Sequence, residues 1–164
     1  HVALGLSDTS PVFYGFVNND SSDGMVTRFA NGVEMVFERD GWHGSCGVRY
    51  EGSDGWVACA DGYQRPDVSH PSLLAEYTKL LQDYLSRTGR RMGHMRNFLD
   101  CVRTRQQPVA NAVVMHRSMT TVPAANIAMW LKRDMRFDAV KEEFVNDPEA
   151  NRMRSRAMRQ PWQV

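Results

Sequence analysis

The stretch MVTRFANGVEMVFE, Met25–Glu38, decides how this chain folds. Asn31-Gly32 separates two segments, Met25–Ala30 and Val33–Glu38. An Asn-Gly pair between alternating segments is a strong hairpin signal, because the tightest turns need positive φ at both central residues. In the second arm Val33, Met35 and Phe37 fall on one side of the pleat, and Glu34, Val36 and Glu38 on the other. One face of this hairpin is therefore apolar and the other mostly polar. It belongs in an antiparallel sheet covered on one side.

More strand signals flank the hairpin. Pro11–Val17 is rich in Val, Phe and Tyr. Ser45–Tyr50 and Gly55–Ala60 form a second hairpin around Glu51-Gly52-Ser53-Asp54, and together these segments predict an antiparallel meander of about four or five strands. No βαβ rhythm is visible, which argues against a doubly wound parallel sheet. Asp61–Ser72 reads as a loop marked by Gly62, Pro66 and Pro71.

Helical periodicity follows. Leu73, Tyr77, Leu80 and Tyr84 mark a helix over Leu73–Leu85, with Ser72 as N-cap and Gly89 as stop. Met95, Phe98, Leu99 and Val102 line one side of a second helix, His94–Arg105, closed off before Pro108. Asn111 caps a third helix running to about Arg133, with Ala112, His116, Met119, Ile127 and Trp130 as its apolar stripe. Pro123 predicts a kink or a split there. Asp147-Pro148-Glu149 supplies a cap, a proline at N1 and a first-turn acid for a short last helix. Strands first and helices after predict one α+β domain over 1–164. Its sheet is open and largely antiparallel, with helices packed on one face. An open face that carries enough apolar surface finds a partner.

Composition narrows the function classes. The chain has 164 residues and a formal net charge of +1, without the basic excess of a nucleic-acid domain. Arg152, Arg154, Arg156 and Arg159 are preceded by Glu142, Glu143, Asp147 and Glu149, the pattern of a solvated face with local ion pairs. No apolar run approaches the ~18 residues of a membrane span. Nothing at the start reads as a signal peptide, and the compartment stays open. The three cysteines, Cys46, Cys59 and Cys101, lack disulfide or zinc spacing and read as buried thiols. No H-E-x-x-H or G-x-S-x-G motif is present.

Four segments carry a family resemblance. Phe29–Val33 is followed by GVRYEGSDGW at Gly47–Trp56, a hairpin before a G-x-R-x-E-G-x-x-G-W pattern. His94–Val102 reads HMRNFLDCV. Asn111–Lys132 contains His116-Arg117-Ser118 and Ala125-Asn126-Ile127-Ala128. Glu142-Glu143-Phe144 runs on through Trp162. Together these resemble the C-terminal domain of the Gfo/Idh/MocA oxidoreductases (glucose–fructose oxidoreductase, inositol dehydrogenase and relatives), a dihydrodipicolinate-reductase-like fold.

The resemblance implies a domain whose open sheet lines a substrate cleft and mediates homo-oligomer contacts. It implies an NAD(P)-dependent family acting on a sugar or polyol, with neither nucleic acid nor membrane as partner. In that family a separate nucleotide-binding domain carries the dinucleotide and a Glu-Lys-Pro lysine. This sequence has neither Glu-Lys-Pro nor a G-x-G-x-x-G turn, so the N-terminal Rossmann domain is expected to be absent. This chain alone is then expected to bind no cofactor and to lack catalytic self-sufficiency. The alternatives are a stand-alone binding or scaffold module using its sheet, and an independent enzyme with a cleft between the sheet and the loop Asp61–Ser72.

Four residues are candidate substrate contacts. His1 either matches the family's active-site histidine or is an accident of where the chain begins. Trp42 and His43 lie on a glycine-rich turn, as a sugar-stacking pair or as a plain surface turn. His116 sits on the apolar stripe of the third helix, as a ligand contact or as a satisfied core histidine. The catalytic residues are left unassigned, and no metal site is expected.

Overall fold

A computed structural model describes residues 9–19, 24–37, 47–60, 65–88 and 93–160. In chain order the strands are β1 (Phe13–Phe16), β2 (Met25–Arg28), β3 (Glu34–Phe37), β4 (Gly47–Gly52), β5 (Gly55–Ala60), β6 (Asp67–Val68), β7 (Met135–Asp138) and β8 (Glu143–Phe144). The helices are α1 (Pro71–Thr88), α2 (His94–Thr104), α3 (Ala112–Leu131) and α4 (Pro148–Arg152). The mixture of helices and antiparallel sheet is α+β, as the order of sequence signals implies. The chain forms two compact units, one from the segments on either side of 40–109 and one from 40–109 itself.

The first unit holds a five-stranded sheet of order β3-β2-β1-β7-β8, antiparallel at every step. Its register sets Tyr14 opposite Thr27 and Met135, Phe16 opposite Met25, and Phe137 opposite Phe144. All of these side chains therefore share one face. α3 packs on β1 and β2 through Ala124, Ala125, Ile127 and Ala128, and the three alanines let helix and sheet approach closely. Tyr14, Phe137 and Phe144 meet edge to face at the centre, with ring centroids 5.2–6.3 Å apart. Burial pushes the Tyr14 hydroxyl far above the usual phenol range, and Thr121 offsets part of that.

The Asn31-Gly32 hairpin forms, with a turn that differs from the two-residue one the pair suggests. Gly32 N–H donates to the Phe29 carbonyl at 3.0 Å, and Phe29 N–H to the Val33 carbonyl at 2.9 Å. The loop is thus three residues long, Ala30-Asn31-Gly32. Only Gly32 takes positive φ, +87°, while Asn31 Oδ1 accepts from Val33 N–H at 3.2 Å. This is a turn closed by a glycine bulge. As expected, Met35 and Phe37 lie on the half-buried side, and Glu34 and Val36 on the exposed side.

The single meander divides. β1–β3 gain β7 and β8 from the far end of the chain, whereas β4, β5 and β6 make a separate three-stranded sheet in the second unit. The strand β6 lies within the stretch read as a loop. Gly55, at φ +130°, is where β5 and β6 close together. A Cβ there would lie 2.1 Å from Ser69 Oγ, which instead accepts from Trp56 N–H at 2.9 Å.

The helix boundaries follow local chemistry with two corrections. α1 begins at Pro71, so Ser72 lies inside the helix rather than capping it; proline is well suited to a first helical position. α3 runs as one helix through Pro123 and does not split there; the missing N–H costs one backbone bond, and the burial of Thr121, Ala124 and Ala125 on either side holds the helix across it. α2 ends at Thr104 with Arg105 in the left-handed region. Its Asn97 Oδ1 accepts from Val109 N–H at 3.0 Å. Met95, Phe98, Leu99 and Val102 share one side of α2, as predicted, but that side is exposed and α2 has no buried residue. Cys59 and Cys101 are free and half-buried; Gly89 and Cys46 lie outside the described residues.

Candidate functional site

Side-chain chemistry converges at one end of the first unit, where the start of α3 meets the β7–β8 turn and the segment after α4. Asn111 caps α3 as predicted, its Oδ1 accepting from Val113 N–H at 3.0 Å and Val114 N–H at 3.1 Å. That cap sets His116 and Arg117 on the second turn. Opposite them, Asp138 Oδ1 accepts from the N–H groups of Val140 and Lys141, both at 2.9 Å. The Lys141 N–H first, and then that of Val140, hold the Asp138 carboxyl below its usual 3.8. A folded-state value below the unfolded one means the bonds stabilise the turn above pH 3.8 and are lost as pH falls through the lowered value. In an NMR acid titration the Val140 and Lys141 amide shifts are expected to move together below pH 3.8. A common midpoint above that value would contradict the capping role.

The turn delivers Glu142 at φ +57°, a conformation that costs a non-glycine residue about 1–2 kcal/mol. Three bonded partners compensate. His116 Nε2 lies 2.8 and 2.9 Å from the two Glu142 carboxylate oxygens. Arg117 Nη1 donates to Glu142 Oε1 at 2.5 Å and to the Ala139 carbonyl at 2.9 Å. Arg154 donates to the Glu142 carbonyl. One residue thus ties α3, the β7–β8 turn and the C-terminal segment together.

α4 holds that segment in place. Asp147 caps it by accepting from Ala150 N–H at 3.0 Å, with Pro148 at N1 and Glu149 in the first turn, as the sequence predicts. Asn151 clamps the β8 backbone, accepting from Phe144 N–H at 2.8 Å and donating to the Phe144 carbonyl at 2.7 Å. Among the described residues Arg133, rather than the C-terminal arginines, pairs with Asp147 and Glu149, both at 2.9 Å.

Between α3 and this segment lies an open groove of about 650 Å³. Its floor is apolar, formed by Pro123, Ile127, Phe137 and Phe144. Met119 and Trp130, well apart along α3, and Lys141, Arg154 and Arg156 are its exposed lining residues. His116 lines the groove with its side chain 60% exposed, so it is neither buried nor a core histidine. The stripe expected around it splits: Ile127 is buried on the sheet side, while Met119 and Trp130 face outward. The 26-residue separation of His116 from Glu142 explains why no local pattern announced their pairing. His1, Trp42, His43 and residues 61–64 of the loop expected to edge a cleft lie outside the described residues.

Among the described residues no cluster of three or more His, Cys, Asp or Glu is placed to hold a metal ion. None of their helices is long and apolar enough to cross a membrane. The groove offers binding chemistry: cations, amide and hydroxyl groups, and an exposed indole over an apolar floor.

An all-antiparallel sheet backed by a long helix, ending in a short capped helix and an arginine-rich segment, makes the first unit an α+β fold. A family model described as the C-terminal alpha/beta domain of an oxidoreductase family, that of Gfo/Idh/MocA, matches residues 27–164. The chain belongs to that family. No curated protein and no solved structure matches it.

Proposed function

We propose that this domain forms the substrate cleft and the oligomer contact of an NAD(P)-dependent sugar or polyol oxidoreductase, with the dinucleotide held by a separate nucleotide-binding domain. The observation that carries this proposal is the match of residues 27–164 to the family's C-terminal domain. The sheet face turned away from α3 supports it. There Arg28 stacks over the Phe13 ring at 4.7 Å and pairs with Glu34 at 2.5 Å, beside a hollow lined by Val26, Val36 and Asn18. An apolar ring with charged hydrogen-bonding groups around it suits a polyhydroxylated ligand. His1, Trp42 and His43 are the proposed sugar contacts there; His116, proposed with them from the sequence, lies on α3 across the sheet and would meet a ligand only from the groove. In the assembled enzyme this domain would orient the reacting carbon, and the cofactor would supply the hydride chemistry.

A second reading, a binding or scaffold module without activity, is favoured by the exposed apolar stripe of α2. Fluorescence titration with NADH and NADPH, beside light scattering, tests both. The 164-residue chain is expected to show no saturable nicotinamide binding and to scatter as a dimer or larger. Saturable binding at about micromolar concentration would mean that the chain holds its own cofactor. A monomer at all concentrations would remove the oligomer contact.

A further inference from the structure

The strand β4 ends the sheet of the second unit with one side open. In the order β4-β5-β6 its neighbour is β5, and among the described residues no strand pairs with its other side. All six of its residues are exposed. The open side carries defined backbone groups. Trp56 N–H donates to Ser69 Oγ at 2.9 Å, and the Trp56 carbonyl accepts from Ser69 N–H at 3.0 Å, so the Trp56 backbone turns toward β6. Glu51 stands opposite Trp56 in the β4–β5 ladder. Hydrogen-bonded and non-hydrogen-bonded pairs alternate in an antiparallel ladder. Glu51, and Arg49 two residues before it, therefore direct their N–H and carbonyl groups away from β5.

Such an edge is a template for another strand, and proteins blunt it with lysine, proline, bulges or inward-pointing charges. β4 reads GVRYEG, without lysine or proline, and pairs with β5 residue for residue. Its two charges have opposite signs. Arg49 and Glu51 flank Tyr50 and share one face. A second antiparallel β4 centred on Tyr50 sets Arg49 of each copy directly opposite Glu51 of the other. These are also the residues that face outward, so each such pair exchanges both backbone hydrogen bonds. The two adjacent registers that keep the same faces together put Arg49 opposite Arg49, or Glu51 opposite Glu51, and like charges in that position repel. Charge thus selects one register. On the other face Tyr50 meets Tyr50, and Val48 lies opposite Gly52, which has no side chain to collide with. Val48 and Tyr50, 45% and 37% exposed in the single chain, become covered. Arg49 is already oriented, stacked over the Trp56 ring at 4.8 Å and bonded to its own Glu51 at 2.5 Å. Its guanidinium has donors for a second carboxylate.

We propose that β4 pairs antiparallel with β4 of a second copy about a two-fold axis at Tyr50, joining their two sheets into one continuous sheet. This pairing deepens the oligomer contact proposed above and rests on that reading. Six residues a side fall short of the roughly 20 of a stable interface, so the pairing depends on concentration.

The test is analytical ultracentrifugation of the 164-residue chain from about 1 µM to about 1 mM. The mean assembled mass is expected to double across that range. Arg49→Glu and Glu51→Arg each set like charges opposite one another across the axis. Each is expected to move the midpoint of the doubling up at least about tenfold. An equimolar mixture of the two variants restores opposite charges at both pairs, and so does the double variant. Both are expected to return the midpoint to within about threefold of the parent. Circular dichroism checks that each variant keeps its sheet. If the single variants double like the parent, the β4 pairing is overturned and the oligomer contact stands elsewhere on the domain. If the mixture and the folded double variant stay apart like the single variants, the pairing is overturned as well. A parent that remains monomeric up to about 1 mM overturns the pairing and the oligomer contact together.

Discussion

Phe144→Ala is expected to lower the unfolding free energy by about 3–5 kcal/mol, the range for removing a buried aromatic ring. Phe144 is 1% exposed and sits on the two-residue edge strand β8. Its ring contacts Phe137 at 5.2 Å and Tyr14 at 6.3 Å between centroids, so truncation opens a cavity beside both. The surroundings cannot close over it easily. The Phe144 backbone is clamped by Asn151 on both its N–H and its carbonyl, and Ala150 in the same core has only a methyl group, too short to swing in. Domains of this size have total stabilities of roughly 5–15 kcal/mol, so much of the folded population is at stake. Urea unfolding followed by circular dichroism measures the loss. Val140→Ala, at a site 89% exposed on the neighbouring turn, is the control and should shift stability by less than about 0.5 kcal/mol. Equal effects of the two substitutions would mean that β8 does not belong to the core.

Glu142→Ala is expected to cost about 2 kcal/mol, from the loss of charge-assisted hydrogen bonds worth roughly 1.5–3 kcal/mol each. Some of that is returned, because the Glu142 carboxylate is partly open to water and His116 and Arg117 can rehydrate. Glu142→Gly should cost less than Glu142→Ala, since glycine removes the penalty of the left-handed backbone while deleting the same carboxylate. Urea midpoints for the two variants give the ordering. An alanine variant as stable as the glycine variant would show that the φ of +57° carries no strain. Loss of the carboxylate leaves Arg117 with the Ala139 carbonyl and His116 without its partner, so chemical shifts at His116 and along the groove should move.

Much of this fold was legible because the signals are local. The Asn31-Gly32 turn, the Asn111 cap and Asp147-Pro148-Glu149 each act within a few residues, and each stands where the sequence places it. Asn-Gly serves both a two-residue turn and a three-residue one, so the pair alone does not fix the turn type. The choice falls to the register, which pairs Arg28 with Glu34 and leaves three residues between Phe29 and Val33. Strand signals do not name partners, so a single meander and two separate sheets read alike in the sequence. β1 takes β7 as its second neighbour across more than a hundred residues, which alternation within either strand cannot encode.

The candidate site was legible only as a single name. Spacing to Met119, Ile127 and Trp130 sets His116 on an apolar stripe, and periodicity alone treats that stripe as one surface. In the folded unit the stripe faces two environments. Ile127 packs on the sheet while Met119 and Trp130 line the groove, which leaves His116 exposed and bonded to Glu142.

Composition, periodicity and caps, read without coordinates, determined the α+β class, the helices and the family likeness that the match over 27–164 supports. Those features depend on contacts a few residues apart. Only the tertiary structure decided that the strands divide between two sheets, that Glu142 meets His116 and Arg117, and that an indole and three cations share one groove. Those pairings join residues far apart in the chain. Their stability comes from burying Tyr14, Phe137 and Phe144 together, a gain that exists only once α3 closes over the sheet.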